Sequence, residues 1–173
     1  MSAALGRPKQ ANAPLGGSEG HAVPSVGAQG MSEEGLPPDR NAFMRLIGAA
    51  QVPAPPGKVH MRLPHMREEL LNQLPAAHGG VVMTLLDSVM ARAAAELPTA
   101  PSRTAVTVEM SSRFHRPARG ALLAEGWVVH ASRSLCSCAA QLLDVDGRLV
   151  ATASGTFKYW LGKTSAGHPP SGG

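Results

Sequence analysis

Residues 80–96 constrain the fold more than any other segment, because they read as a long helix that is apolar on two sides. Val82, Leu85, Leu86, Val89 and Ala93 recur at helical spacing and form one apolar stripe. The opposite side carries Met83, Thr84, Met90 and Ala91, which is not how a water-facing surface is usually composed. From His78 to Ala91 the only full charge is Asp87. A helix of this kind needs cover on both sides. Its stripe calls for a sheet, and the Asp87 side calls for a partner subunit or a ligand cavity.

The flanking sequence supplies the sheet. Asp39 is expected to cap a short helical turn containing Phe43, Leu46 and Ile47. Val59, Met61 and Leu63 alternate with Lys58, His60 and Arg62, which predicts a strand over 58–63 with one buried face. Residues 67–77 form a connection with a helical turn. Leu97-Pro98 ends the long helix. Four strand-like runs follow, over 104–114, 121–131, 135–145 and 148–160, with Val106, Val108, Met110 and Phe114 expected on one face of the first. Asp146-Gly147 predicts a tight hairpin between the last two. The order is strand, one long helix, then consecutive strands. A single helix covers a broad sheet only if the sheet curls around it, so an α+β domain with an antiparallel sheet wrapped around one central helix is expected.

Composition narrows the function. The chain has 173 residues, enough for one domain with its own core. Aromatic residues are 3%, too few for a platform that stacks single-stranded nucleic acid. The net charge of +4 is scattered rather than clustered and would suit a phosphorylated small molecule or a generally basic surface. Residues 1–38 are rich in Gly, Ala, Pro and Ser without helical or strand period and are expected to be a disordered extension. The folded domain is placed at 39–162, followed by a flexible tail at 163–173. No apolar run approaches the roughly 20 residues of a membrane span. Neither a membrane nor a nucleic acid partner is expected, and a cytoplasmic location is. Cys136 and Cys138 stand two apart in a strand, a poor separation for a disulfide, and two thiols fall short of a metal site, so reduced cysteines and no metal are expected.

The chemistry concentrates around the helix. An ionised carboxylate on an apolar face is costly unless it is paired or functional, so Asp87 either meets a local partner such as Arg92 or acts in catalysis. His78-Gly79-Gly80 stands where the helix begins. A helix N-terminus offers unpaired N–H groups, and glycine lets a carbonyl oxygen approach them; a simple turn would use the same residues.

Asn72, His78-Gly79-Gly80 and Asp87, spaced by six and nine residues, together resemble the thioesterase superfamily. The particular likeness is to hotdog-fold acyl-CoA thioesterases of the phenylacetate-degradation type. The resemblance extends to Phe43-Met44-Arg45-Leu46-Ile47-Gly48, Pro56-Gly57-Lys58-Val59, Phe114-His115-Arg116-Pro117-Ala118 and Asp146-Gly147-Arg148-Leu149-Val150-Ala151, covering residues 41–161. It implies the hotdog fold and hydrolysis of an acyl- or aryl-CoA, with Asp87 activating water or attacking the thioester. Gly79 would polarise the carbonyl, with Gly80 easing the approach, His78 supporting, Asn72 near the leaving thiol and Thr107 holding the water. It further implies a homodimer or homotetramer with sites shared between chains, and no cofactor apart from the CoA of the substrate. Met83 and Met90 are candidates for the acyl pocket, and Arg116, Arg133 and Ser134, with Arg113 and Lys158, for CoA contacts. Pro75 replaces a common Gly, and Ser132-Arg133-Ser134 a more usual Gly-containing turn. Two other readings stay open: a non-catalytic acyl-CoA-binding hotdog protein, and a hotdog enoyl-CoA hydratase, whose Asp-x-Asn-Pro-x-His pattern does not occur here.

Overall fold

A computed structural model of the chain describes residues 39–161. The expected extension over 1–38 and the tail over 163–173 lie outside the described residues. Short helix α1 (Ala42–Ile47) leads into β1 (Ala50–Val52) and β2 (Lys58–Leu63). A single 3-10 turn at Glu68–Leu70 precedes α2 (Gly79–Glu96). Strands β3 (Ala105–Phe114), β4 (Leu122–Ala131), β5 (Leu135–Leu143) and β6 (Leu149–Tyr159) complete the domain. The six strands form one antiparallel sheet in the order β1-β2-β4-β5-β6-β3. Helix α2 packs on β2, β3, β4, β5 and β6, so the sheet wraps it as the hotdog fold requires.

The apolar stripe of α2 makes the core. Val82, Leu85, Leu86 and Val89 are buried against Met61, Leu63, Ala124, Leu142 and Phe157 from the sheet. Gly126 on β4 sets how closely the helix sits. A Cβ there would stand 2.7 Å from the Val89 carbonyl oxygen, so only a hydrogen fits between strand and helix at this point. The β5–β6 hairpin turns as its sequence predicts. Gly147 takes a left-handed φ of 73°, and Asp144 Oδ1 accepts from the N–H groups of Asp146 and Arg148, both at 2.9 Å.

Three expectations are corrected. The cap of α1 is Asn41, whose side chain accepts from Phe43 N–H at 2.8 Å. Asp39 is instead buried and bound to Arg92 at 2.5 Å. On β3 the register slips between Thr107 and Glu109, a bulge centred on Val108. Thr107 pairs with buried Phe157, and Met110 with Gly155, so these two share the helix-facing side; Val106 pairs with exposed Lys158 on the other side. The expected single face of Val106, Val108, Met110 and Phe114 is broken there. Finally, Met90 is fully buried inside this one chain, its methyl end near Gly155, and is not on the uncovered side of α2.

Cys136 and Cys138 are free and buried, with their sulfurs 3.6 Å apart, closer than the strand spacing alone suggests. Burial, then the neighbouring Cys136, pushes the Cys138 thiol up to about 12. A thiol so protected from ionisation is a core group rather than a nucleophile.

Candidate active site

Asp87 lies midway along α2, half-buried and facing the bulged part of β3. Its Oδ1 accepts a 2.6 Å hydrogen bond from the Thr107 hydroxyl. The bulge makes this contact possible, because it turns Thr107 toward the helix. Arg92, the alternative partner, is occupied elsewhere: it donates to Asp39 at 2.5 Å and to Gln51 Oε1 at 2.7 Å. Burial alone would raise the Asp39 pKa, but hydrogen bonds from Arg92 and from the Asn41 N–H, with the Arg92 charge, hold it below its usual value. Among the described residues no cation pairs with Asp87. Its one side-chain partner there is a neutral hydroxyl.

At the N-terminus of α2 the donors are nearly all used. His78 caps the helix, its Nδ1 accepting from Gly80 N–H at 3.0 Å. A Cβ on Gly80 would press to 3.1 Å from that Nδ1, so glycine there makes room for the imidazole cap. The His78 N–H donates to Leu70 O at 2.7 Å, and the Val81 and Val82 N–H groups both reach His78 O. Among the described residues, the Gly79 N–H meets no acceptor. It is the free first-turn donor at the positive end of the helix.

Asn72 shares a recess of about 640 Å3 with His78, lined also by Leu71, Gln73 and Leu74. Its side chain shapes the loop, accepting from Leu74 N–H at 2.7 Å and donating to Ala77 O at 3.4 Å. Asp87 and Thr107 line a different groove, of about 490 Å3, between the second half of α2 and the start of β3. Asp87 stands eight residues beyond Gly79, a rise of roughly 12 Å along the helix. A single chain therefore holds the two halves of the expected site apart.

Met83 is 40% exposed on the same side of α2 as Asp87. Arg116, Arg133 and Ser134 are exposed, and one chain does not bring them together. Arg116 follows the end of β3 and donates to Leu149 O at 2.7 Å. Ser134 O accepts from Tyr159 N–H beside the start of β3, a full strand length away. Arg113 and Lys158 are exposed on the outer face.

Ser88, Ala91 and Ala95 line the Asp87 groove, with Asn41, Arg103 and Thr104 toward its far end. Of these the sequence pattern singles out only Ala91, although Ser88, Ala91 and Ala95 are small residues at helical spacing just beyond Asp87. Also unforeseen is a polar row across the outer sheet face, in which His60 and Glu125 are buried. Glu125 accepts from Gln141 at 2.8 Å and Lys58 at 3.3 Å, and its Oε1 lies 3.4 Å from His60 Nε2. Alternation had put His60 on the exposed side of β2, yet it is buried.

The family model described as the thioesterase superfamily matches residues 74–151, from just after Asn72 to the last hairpin. A thioesterase family protein from Silicibacter pomeroyi is 31% identical, over 69% of this chain and 89% of its own, with a TM-score of 0.63. The chain belongs to the thioesterase superfamily. A second superfamily structure, a phenylacetic acid degradation-related protein from Ralstonia eutropha, is 26% identical over 68% of this chain and 89% of its own, at a TM-score of 0.59. The PaaI protein of the E. coli phenylacetic acid degradation operon, 20% identical over 71% and 87%, shares the fold at a TM-score of 0.61.

Proposed function

We propose that the protein is an acyl-CoA thioesterase whose active site is completed by a second copy of the chain. The observation that carries this reading is the pair of unfinished halves on one helix. Among the described residues Asp87 has its Thr107 hydroxyl but no cation, and the Gly79 N–H, two turns earlier, has no acceptor. A reacting carbonyl is only a few ångströms across, and attack needs contacts of about 3–3.5 Å, so one chain cannot use both groups on the same thioester. Two chains related by a two-fold axis with their α2 helices antiparallel would set Gly79 of each beside Asp87 of the other.

In such a site the thioester oxygen accepts from the Gly79 N–H, and the charge it gains on attack is stabilised at the helix N-terminus. Asp87 takes a proton from a water held with Thr107, and the hydroxide adds to the carbonyl carbon. The tetrahedral intermediate expels the thiolate, which leaves as the CoA thiol once protonated, and the acid remains. Direct attack by Asp87 followed by hydrolysis of the anhydride gives the same products. Asn72 and His78 shape the wall of the recess on the Gly79 side, where the departing thiol would lie. Arg113, Arg116, Arg133, Ser134 and Lys158 are the groups available to CoA phosphates.

Subunit complementation tests this. Asp87→Asn should lower thiol release from acyl-CoA about 10²- to 10⁴-fold, the usual worth of a general base, and Gly79→Val, whose side chain blocks the approach of the carbonyl to the N–H, about 10²- to 10³-fold. Mixed and allowed to exchange, the two inactive variants should recover activity, since some heterodimers carry one site with both native halves. No recovery, with exchange confirmed by native mass spectrometry, would mean that each chain holds its own site.

A further inference from the structure

The groove beside Asp87 has an end that its catalytic pair does not explain. It runs from Asp87 and Thr107 along Ser88, Ala91 and Ala95 toward the C-terminus of α2, where Arg103 and Asn41 line it. Its volume of about 490 Å3 is that of a small-molecule site. Two guanidinium groups border it, and they are in opposite states. Arg92 is neutralised by Asp39 at 2.5 Å and also held by Gln51. Arg103 has no ion pair among the described residues, and its one hydrogen bond there is a 3.5 Å contact from Nη1 to Ala95 O.

Asn41 adds an independent signal. Its Oδ1 is committed to the Phe43 N–H as the cap of α1, which leaves the amide NH2 as the free end of the side chain. Among the described residues the far end of the groove thus offers a cation without an ion pair and a free N–H donor, while Asp39, beside Asn41, is consumed by Arg92. Donors without acceptors suit an anionic acceptor.

We infer that this groove receives an acyl group whose far end carries a carboxylate, gripped by Arg103 with the Asn41 amide. The inference rests on the thioesterase reading and names the substrate class for that same site: the CoA monothioester of a dicarboxylic acid. Length supports it. Ala95, which Arg103 touches, is eight residues past Asp87, roughly 12 Å along the helix. Allowing a contact of about 3 Å at each end leaves roughly 6 Å, or about five bonds of an extended chain. A six-carbon diacid matches that span.

The test compares adipyl-CoA with heptanoyl-CoA, chains of similar length ending in a carboxylate or a methyl group. Wild-type protein should favour adipyl-CoA in kcat/KM, and Arg103→Ala should lower the adipyl-to-heptanoyl ratio about 10- to 100-fold, the range for a charged hydrogen bond. Arg103→Lys should recover part of the ratio. An unchanged ratio overturns the inference. So does an equal loss on both substrates that vanishes with N-acetylcysteamine thioesters, because Arg103 would then hold a CoA phosphate. Calorimetric binding of non-hydrolysable thioether analogues of the two substrates carries the same comparison without turnover. Preferential binding of the carboxylated analogue, lost in Arg103→Ala, supports the inference even if no thioester is cleaved, and equal binding overturns it.

Discussion

A single hydroxyl decides what Asp87 can do. Thr107 donates to Oδ1 at 2.6 Å, which orients the carboxylate and leaves Oδ2 for a water or a thioester. Thr107→Val keeps the shape and removes the donor. A hydrogen bond to a charged group is worth about 1.5–3 kcal/mol, so thiol release should fall roughly 10- to 100-fold, with Thr107→Ser close to the native rate. Equal rates in all three would leave Thr107 no part in the chemistry. Neither residue's contact was legible from spacing alone, since plain alternation along β3 puts Thr107 on the face opposite Met110. His60 shows the same gap between pattern and place. Burial lowers its pKa below the ordinary 6.5, Glu125 opposes this and Lys58 adds to it. The folded state therefore binds fewer protons than the unfolded one below about pH 6.5. Stability from this group is complete above that pH and is lost as pH falls toward the folded pKa. The thermal midpoint should drop between pH 7.5 and 5.5, and less so in His60→Gln; parallel drops would clear His60 of the effect.

Elements were more legible than residues because period and punctuation encode them directly. The bounds of β2 and the hairpin at Asp146-Gly147 follow from alternation and turn chemistry, and the stripe of α2 from its helical period. Where the reading failed, tertiary structure intervened. The bulge at Val108 adds one residue that no periodic pattern announces, and it reverses the facing of everything before it on β3. The two apolar sides of α2 look alike in sequence, but the curl of the sheet toward β6 covers Met90. Gly126 marks how tightly that curl is drawn. Gly126→Ala would drive a methyl group to within 2.7 Å of the Val89 carbonyl oxygen and 3.0 Å of its side chain, forcing helix and strand apart. Overpacking of this kind costs about 1–3 kcal/mol, read as a lower denaturant midpoint. Gly79→Ala is the control, since its Cβ meets only Phe114 at 3.8 Å. If both variants unfold at the same denaturant concentration, the close approach at Gly126 is not what fixes the packing.

At the scale of the molecule, the two-sided helix was the most informative feature of the sequence, because it implied cover that one chain does not supply. In the structure that cover is still wanting. Met83 is 40% exposed beside Asp87, and Phe114, which stands over Gly79, is 52% exposed. Strand β3 lies at one end of the sheet, with β6 on one side and no strand on the other among the described residues. A long edge strand with apolar side chains is a template for pairing with another chain. On it, Val108 is 58% exposed at the bulge, directly after Thr107. If a second copy seals the site along this edge, a charge at Val108 would be buried against the partner in the assembly, yet solvated in the single chain. Val108→Asp should therefore leave the circular dichroism spectrum unchanged and shift the protein to a lighter species in sedimentation. Its specific activity should fall steeply on dilution, because each lost contact separates a Gly79 from the Asp87 it serves. A variant that sediments and turns over like the wild type would place the interface on another surface, and the composite site could not then be formed across β3.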